Sequence, residues 1–387
     1  MAIVKLAEVC EKIGSGATPR GGKEAYCNEG ISLVRSQNVL DFNFSKDGLA
    51  FINDEQAKRL SNVEVHSGDV LLNITGDSVA RACLMDDDYL PARVNQHVAI
   101  IRGNSHKVLN SYVLYYLQWR KEHLLQLASA GATRNALTKA MIEQLELDLP
   151  PLDIHKHLVA ILDSLQNKIQ LNQKINDNLQ QQAAALFSSL YDRTNTEVRF
   201  TDLIQILGGG TPKTGENTYW NGNIAFFTPK DVGTPYTLIT EKTITEVGLS
   251  HCNSRLYPVN TVFVTARGTV GKVGMSGVPM AMNQSCYALV GKETHQLLVY
   301  FYTLKAVDRL KHKASGAVFD AITTRDFESE QIMKLSDDDA KAFLCIAEPM
   351  FQKVLNNCIE NLRLSTLRDS LLPKLMSGEV DVSAVKL

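Results

Sequence analysis

A chain of 387 residues with 44% hydrophobic and 21% charged content has room for two globular domains with real cores, and no apolar run reaches the roughly 18 residues of a membrane span. The formal net charge of −2 excludes overall basic character, so any nucleic-acid surface must be a set of local patches; residues 1–150 hold 16 basic and 18 acidic side chains, and 196–339 hold 14 and 15. The start, MAIVKLAEVCEKIG, lacks the apolar core of a signal peptide, and the seven scattered cysteines never form C-x-x-C, so reduced thiols in a cytoplasmic protein are expected.

In chain order, a short amphipathic segment (LAEVCEKI) leads into Ile13-Gly-Ser-Gly-Ala-Thr-Pro-Arg20, a glycine-rich turn closed by proline. An apolar run, Ile31–Val39, reads as a strand, as do Gly68–Thr75 and the segment opening Asn95-Gln96, with the turn Gly76–Arg81 between these two. A helical stretch, SYVLYYLQWRKEHLLQLAS, follows, then Gly131–Thr138 and Leu149-Pro-Pro-Leu152. His155–Leu190 has no proline or glycine and carries apolar or small residues at Leu158, Ile161, Leu165, Ile169, Ile175, Leu179, Ala183, Leu186 and Leu190, with Asn172 in the one gap. That alternation of three and four predicts one helix about 54 Å long with a coiled-coil seam.

The plan then repeats. Ile206–Lys213 answers Ile13–Arg20, Ile224–Val232 answers Ile31–Val39, Val259–Ala266 answers Gly68–Thr75, and Arg267–Lys272 answers Gly76–Arg81. Asn283-Gln284 answers Asn95-Gln96, QLLVYFYTLKAVDRLKHK the first helical stretch, and Gly316–Thr323 answers Gly131–Thr138. A second long apolar-striped helix, Lys341–Leu375, closes the chain with Phe343, Ile346, Met350, Val354, Asn357, Leu364, Leu371 and Leu375 at a constant offset of 185 residues. A period this long is a domain duplication, not a solenoid repeat of roughly 20–50 residues.

The expected fold is therefore mixed α/β: two tandem globular domains (1–150 and 196–339), a central helix (151–195) and a C-terminal helix with tail (340–387). Two matched seams bury each other most simply as an antiparallel coiled coil with an internal pseudo-twofold. The pairing residues would be Leu158, Leu165, Ile169, Asn172 and Leu179 against Met350, Val354, Asn357, Leu364 and Leu371, with the amides of Asn172 and Asn357 face to face as a register key. Leu162, Leu171, Ala184, Phe187, Leu344, Leu355, Ile359 and Leu372 widen the apolar face, for which partner helices or the chain's own units are the two covers; partner helices are expected. Two binding units at a fixed spacing suit a bipartite DNA target.

The turns Gly16-Ala-Thr-Pro19 and Gly210-Thr-Pro212, Arg267-Gly-Thr-Val-Gly-Lys-Val-Gly274, the two Asn-Gln pairs, Leu149-Pro-Pro-Leu152 and the closing Leu371-Leu-Pro-Lys-Leu-Met-Ser-Gly-Glu-Val-Asp-Val382 resemble the DNA-specificity subunits of type I restriction-modification systems across essentially the whole chain. The resemblance implies one half-site per domain on double-stranded DNA and helices that set the spacer. It also implies docking of methyltransferase subunits, which methylate adenine with S-adenosylmethionine, and of a motor-nuclease subunit that uses ATP and Mg, with no cofactor in this chain. A specificity subunit of a related methylation system without a restriction partner is the alternative. The pattern departs at Gly76-Asp77, which stands against the Arg-Gly of the second copy, and at the second Pro-Pro, which is absent.

The sequence carries none of the common catalytic motifs. There is no Asn/Asp-Pro-Pro-aromatic methyltransferase motif, no phosphate loop and no H-E-x-x-H, and Asp339-Ala-Lys341 opens a helix, where acids complement its dipole. A stand-alone methyltransferase or nuclease is thereby disfavoured, no metal site is expected, and His97 is expected to be structural. DNA contact requires Arg or Lys for phosphates and Arg, Lys, Asn or Gln for base edges. The candidates are Thr18, Arg20, Lys23, Arg35, Gln37, Asn38, Arg81, Arg93, Asn95, Gln96 and Arg134 in the first domain, and Thr211, Lys213, Lys230, Arg255, Arg267, Thr269, Lys272, Asn283 and Gln284 in the second.

Overall fold

A computed structural model describes residues 2–19, 21, 25–129, 135–233, 235–313 and 321–382. The chain forms two compact units, Met1–Gln170 with Arg363–Leu387, and Leu171–Leu362. The long helices run Leu152–Tyr191 and Asp337–Met376, each starting 185 residues from its counterpart, and each is shared, so that every unit owns one half of both.

In the first unit a four-stranded antiparallel sheet has the order Cys10–Ser15, Val98–Gly103, Val70–Asn73, Ala82–Leu84. Both of its faces are buried, and the strands show why. Along Val70–Asn73, Val70 and Leu72 point to the core shared with helix Asn110–Trp119 and the long helices, while Leu71 points to a second core. That second core lies under a sheet ordered Ala50–Ile52, Ile31–Val34, Ala92–Val94, Glu64–Val65, with Ile31–Val34 and Ala92–Val94 parallel. A two-stranded ladder, Ala2–Lys5 with Glu146–Leu149, ties the start of the unit to the residues before the long helix.

The second unit repeats this. Its main sheet runs Ile204–Gly208, Cys286–Gly291, Val262–Thr265, Val273–Ser276, Tyr236–Thr237, and its smaller sheet Lys242–Ile244, Trp220–Phe227, Met280–Met282. Val262 and Val264 face the helical core and Phe263 the other, as Val70, Leu72 and Leu71 do. The ladder Glu197–Arg199 with Gln331–Met333 matches the first unit's terminal ladder.

Within each unit the helix halves pair antiparallel. In the first, Leu158, Leu162, Gln166 and Ile169 are buried with Arg368, Leu372 and Leu375, and Gln166 accepts from Arg368 Nη1 at 2.6 Å. In the second, Ala183, Phe187 and Leu190 are buried with Phe343, Ala347, Phe351 and Val354. Leu165, Leu179, Met350, Leu364 and Leu371 are only half-buried and flank this line. Ile346, expected on the seam, is 48% exposed.

Two expectations about the helices are corrected. The amides of Asn172 and Asn357 do not face each other: Asn172 Nδ2 donates to Asn361 Oδ1 and Glu360 Oε2, both at 2.8 Å, and Asn357 Nδ2 donates to Asn176 Oδ1 at 2.8 Å. The two amide pairs are images of each other under the 185-residue offset, so the crossing falls between two turns and each amide meets the image of the residue one turn on. The widened apolar face needs no outside helix at Leu162, Phe187, Leu355 and Leu372, which are buried in the chain's own cores; Leu171 stays 53% exposed.

Candidate nucleic-acid interface

The glycine-rich turn of each unit lies against its Asn-Gln turn, and backbone contact is what requires the glycines. Gly16 N donates to Asn95 O at 3.1 Å, and a Cβ on Gly16 would sit 1.7 Å from Val94 O. In the second unit Gly210 N donates to Met282 O at 3.1 Å, and a Cβ on Gly209 would lie 2.3 Å from Asn283 O. The approach brings Thr18 Oγ1 to donate to Gln96 Oε1, and Thr211 Oγ1 to donate to Gln284 Oε1. Asn95 and Asn283 turn inward and close their turns, accepting from His97 N and Ser285 N, both at 3.0 Å. The glutamines are left exposed at the tips.

The turn after the central strand packs beside this pair. Ile74 N donates to His97 O at 3.0 Å and Ala266 N to Ser285 O at 2.8 Å; Asn73 N donates to Arg81 O and Thr265 N to Lys272 O. Gly76 and Gly268 both take positive φ, 75° and 82°, as do Ala80 and Gly271, 67° and 74°. The structural match is thus glycine on glycine, with one extra residue in the first turn. Gly76-Asp77 does not replace Arg-Gly; Thr75 stands where the second unit has Arg267, and both form an isolated bridge, to Ala136 and Ala321. Arg81 and Lys272 leave these turns at equivalent points, half-buried and exposed. In the second unit Thr269 Oγ1 donates to Pro229 O at 3.2 Å, which brings Lys230 alongside, 3.7 Å from Glu241. Ser254 Oγ accepts from Met282 N at 2.9 Å, bringing the segment with exposed Arg255 to the glycine turn.

Several candidates are committed inside the protein. Arg93 is 7% exposed, its guanidinium donating to Ala57 O at 3.2 Å and Ala92 O at 2.9 Å beside Glu64 at 3.5 Å. Asn38 is fully buried and donates to Ser45 O and Asp47 O; Gln37 donates to Asp47 O and Gly48 O, and Arg35 to Gly48 O. All three brace the 45–48 loop, a use the strand-end pattern does not disclose. Arg93, Asn38 and Asn95 are buried and therefore not surface contacts, whereas Asn283 is half-buried with its Oδ1 on Ser285 N. Arg20, Lys23 and Arg134 lie outside the described residues, as do 131–134 and 316–320 of the matched loops. The sites brought together are Thr18, Gln96 and Arg81 in one unit, and Thr211, Gln284, Arg267, Thr269, Lys272 and Lys230 in the other, with Arg255 and Lys213 nearby.

Sequence reasoning missed an aromatic platform. Trp220 donates from Nε1 to Lys213 O at 3.1 Å and has Lys242 Nζ 5.7 Å from its ring, and the neighbouring Tyr219 stacks on His251 at 5.0 Å. The Tyr-Trp pair just after the glycine turn was the signal. Burial pushes the Cys286 thiol, behind the second Asn-Gln turn, up to about 12, which keeps it protonated and unreactive there. Among the described residues no group of three His, Cys, Asp or Glu side chains could hold a metal, and no helix is long and apolar enough to cross a membrane.

The family model for the type I restriction modification DNA specificity domain matches residues 1–181 and again 193–334. The HindI specificity subunit of Haemophilus influenzae is 23% identical over 92% of this chain and 95% of its own length. A putative MjaX specificity subunit of Methanocaldococcus jannaschii is 20% identical over 98% and 93%. Among solved structures, the S subunit of a type-I restriction-modification system from M. genitalium superposes with a TM-score of 0.58 at 13% identity, covering 97% of this chain and 95% of that one, a likeness of fold.

Proposed function

The chain belongs to the type I restriction modification DNA specificity family, and on that premise we propose that it reads a split target on double-stranded DNA, one half-site per unit, as the recognition subunit and scaffold of a methylating and restricting complex. The observation that carries this is the same constellation built twice: a Thr held on a Gln by a glycine turn, with a cation leaving the adjoining turn. Exposed Gln, Arg and Lys supply donors for base edges and phosphates, and the neighbouring Asn95 and Asn283 close the turns that carry the glutamines. The chain itself performs no catalysis.

Methyltransferase subunits would dock on the long helices, where Leu171, Ile346 and Leu367 are 53%, 48% and 46% exposed. A motor-nuclease subunit would join that assembly. S-adenosylmethionine, ATP and Mg would be bound by those subunits and not by this one. The test is to map methylated adenines in cells that carry the complete system, with each unit exchanged in turn. Exchanging residues of the first unit should change one half-site and leave the other half-site and the spacing as they were. A contiguous target, or one altered throughout by either exchange, would overturn the reading.

A further inference from the structure

In the first unit four side chains form one hydrogen-bonded line that the second unit lacks. Thr18 Oγ1 donates to Gln96 Oε1, Gln96 Nε2 lies 3.2 Å from His97 Nε2, and His97 Nδ1 lies 2.6 Å from Thr75 Oγ1. Among the described residues the second unit has the Thr211–Gln284 contact alone, with Ser285 in the place of His97 and Arg267 in the place of Thr75.

The chemistry of the line is restrictive. An amide nitrogen only donates, so His97 Nε2 accepts and the ring proton sits on Nδ1, facing the Thr75 oxygen. Turning the Gln96 amide over would require the ring to move its proton to Nε2 and the Thr75 hydroxyl to reverse in the same step. Each partner on the line can reverse, a threonine hydroxyl or an imidazole tautomer alike, so what distinguishes the first unit is coupling. Thr18 and His97 hold the Gln96 amide at two points, and it turns over only if Thr18, His97 and Thr75 reverse together, whereas Thr211 holds Gln284 at one. The orientation matters because a glutamine amide reads adenine by accepting from N6 and donating to N7, and a reversed amide presents the opposite pattern.

We propose that His97 is a positioning residue for base recognition: backed by Thr75 it gives the amide of the exposed Gln96 a second hold and couples its reversal to theirs, so that the first unit demands one base pair there, an A·T pair, while Gln284 of the second unit, held at one point, is less exacting. The proposal rests on the reading above, that Gln96 faces DNA.

The test uses the full-length chain and a pool of randomised duplexes, selected and sequenced for the native protein and for His97→Ser, Thr75→Val and Gln96→Ala. His97→Ser installs the residue the second unit carries at this point. The native protein should prefer A·T at one position of one half-site by about tenfold or more, and His97→Ser should lower that to about twofold. The other half-site should be unchanged and total affinity should stay within about threefold. Thr75→Val should weaken the same position by less, and Gln96→Ala should abolish its preference. If Gln96→Ala erases a preference that His97→Ser and Thr75→Val leave intact, the positioning role is wrong and the recognition reading stands. If neither Gln96→Ala nor His97→Ser changes any position of a split target, Gln96 does not face DNA and the proposal falls with it. No split target at all would sink the functional reading itself. Should His97→Ser melt far below the native protein, Thr75→Val, which keeps the ring, decides in the same way.

Discussion

At the helix halves of the first unit, Gln166 bonds Arg368, whose guanidinium carbon lies 3.7 Å from the centre of the Phe42 ring, and Gln166 Nε2 also donates to Phe42 O at 3.1 Å. The 185-residue offset puts Ala183 and Phe351 at these two positions in the second unit, and there Phe351 packs on Tyr300 and Phe301. His155, fully buried in the first unit, corresponds to Ala340. One unit fills its helix–sheet junction with a polar latch and the other with aromatic rings. What the duplication repeats is where the backbone goes and which positions are buried; what fills those positions differs. The Asn-Gln turns and their neighbours behave likewise, with a Thr75–His97 line in one unit against Arg267 and Ser285 in the other.

The largest expected effect lies on the aromatic side. Phe187 is 1% exposed and touches Tyr191, Phe301, Tyr302 and Phe343. Phe187→Ala should cost about 4 kcal/mol, as other buried large-to-small aromatic changes do. Hydrogen exchange should show protection lost first among Val262–Thr265 and Cys286–Gly291, with Val70–Asn73 unaffected. Equal loss in both sets of strands would mean the two units do not unfold separately, and the comparison would have to be recast as one cooperative core.

The outline was legible in the sequence to the extent that spacing carries it. The duplication, the two long helices and the paired glycine-rich Thr-Pro and Asn-Gln turns all follow from periodicity and from residue types with narrow backbone uses, while the helices begin at Leu152 and Asp337, ahead of the expected His155 and Lys341. The buried line of the helices was less legible, because beside the expected Asn172 it runs through Gln166, Asn176 and Arg368, which a count of apolar residues passes over. Individual site residues were the least legible. Arg93 and Asn38 look like DNA ligands by type, yet tertiary contacts from Ala57, Ser45 and Asp47 claim them, and nothing local marks a polar side chain as claimed. The alignment of Gly76 with Gly268 needed the hydrogen bonds, since the one-residue difference in turn length is invisible to residue matching.

A smaller effect should separate the units by pH. His155 stacks on Tyr112 with ring centres 4.3 Å apart, neither ring nitrogen has a hydrogen-bond partner, and burial pushes its pKa down to about 4. The unfolded chain, with an ordinary imidazole near 6.5, therefore holds more protons between about pH 6.5 and 4, and stability falls as pH falls through that window while remaining intact above it. The loss should be on the order of 2–3 kcal/mol in the first unit, with no counterpart at Ala340. Denaturant melts at pH 7.5 and 4.5 should show this, and His155→Phe should remove most of the difference. A His155→Phe protein as acid-sensitive as the native one would assign the sensitivity to other groups.

The smallest effect tests whether the two turns do the same work. Arg81 and Lys272 leave equivalent positions, after Ala80 and Gly271 in the same left-handed conformation, so each should place one cation on the DNA backbone. A phosphate contact is charge and not pattern, and removing it weakens binding evenly over sequences. Arg81→Ala and Lys272→Ala should each lower the slope of log affinity against log salt by about 1, and leave the selected half-sites unchanged. If Arg81→Ala alters the bases selected while Lys272→Ala alters only the slope, the turns have diverged in role as well as in sequence. The first unit would then read bases with Arg81 beside its Gln96 line, while the second does so from Arg267, one side chain doing in each turn what the other turn gives to a different position.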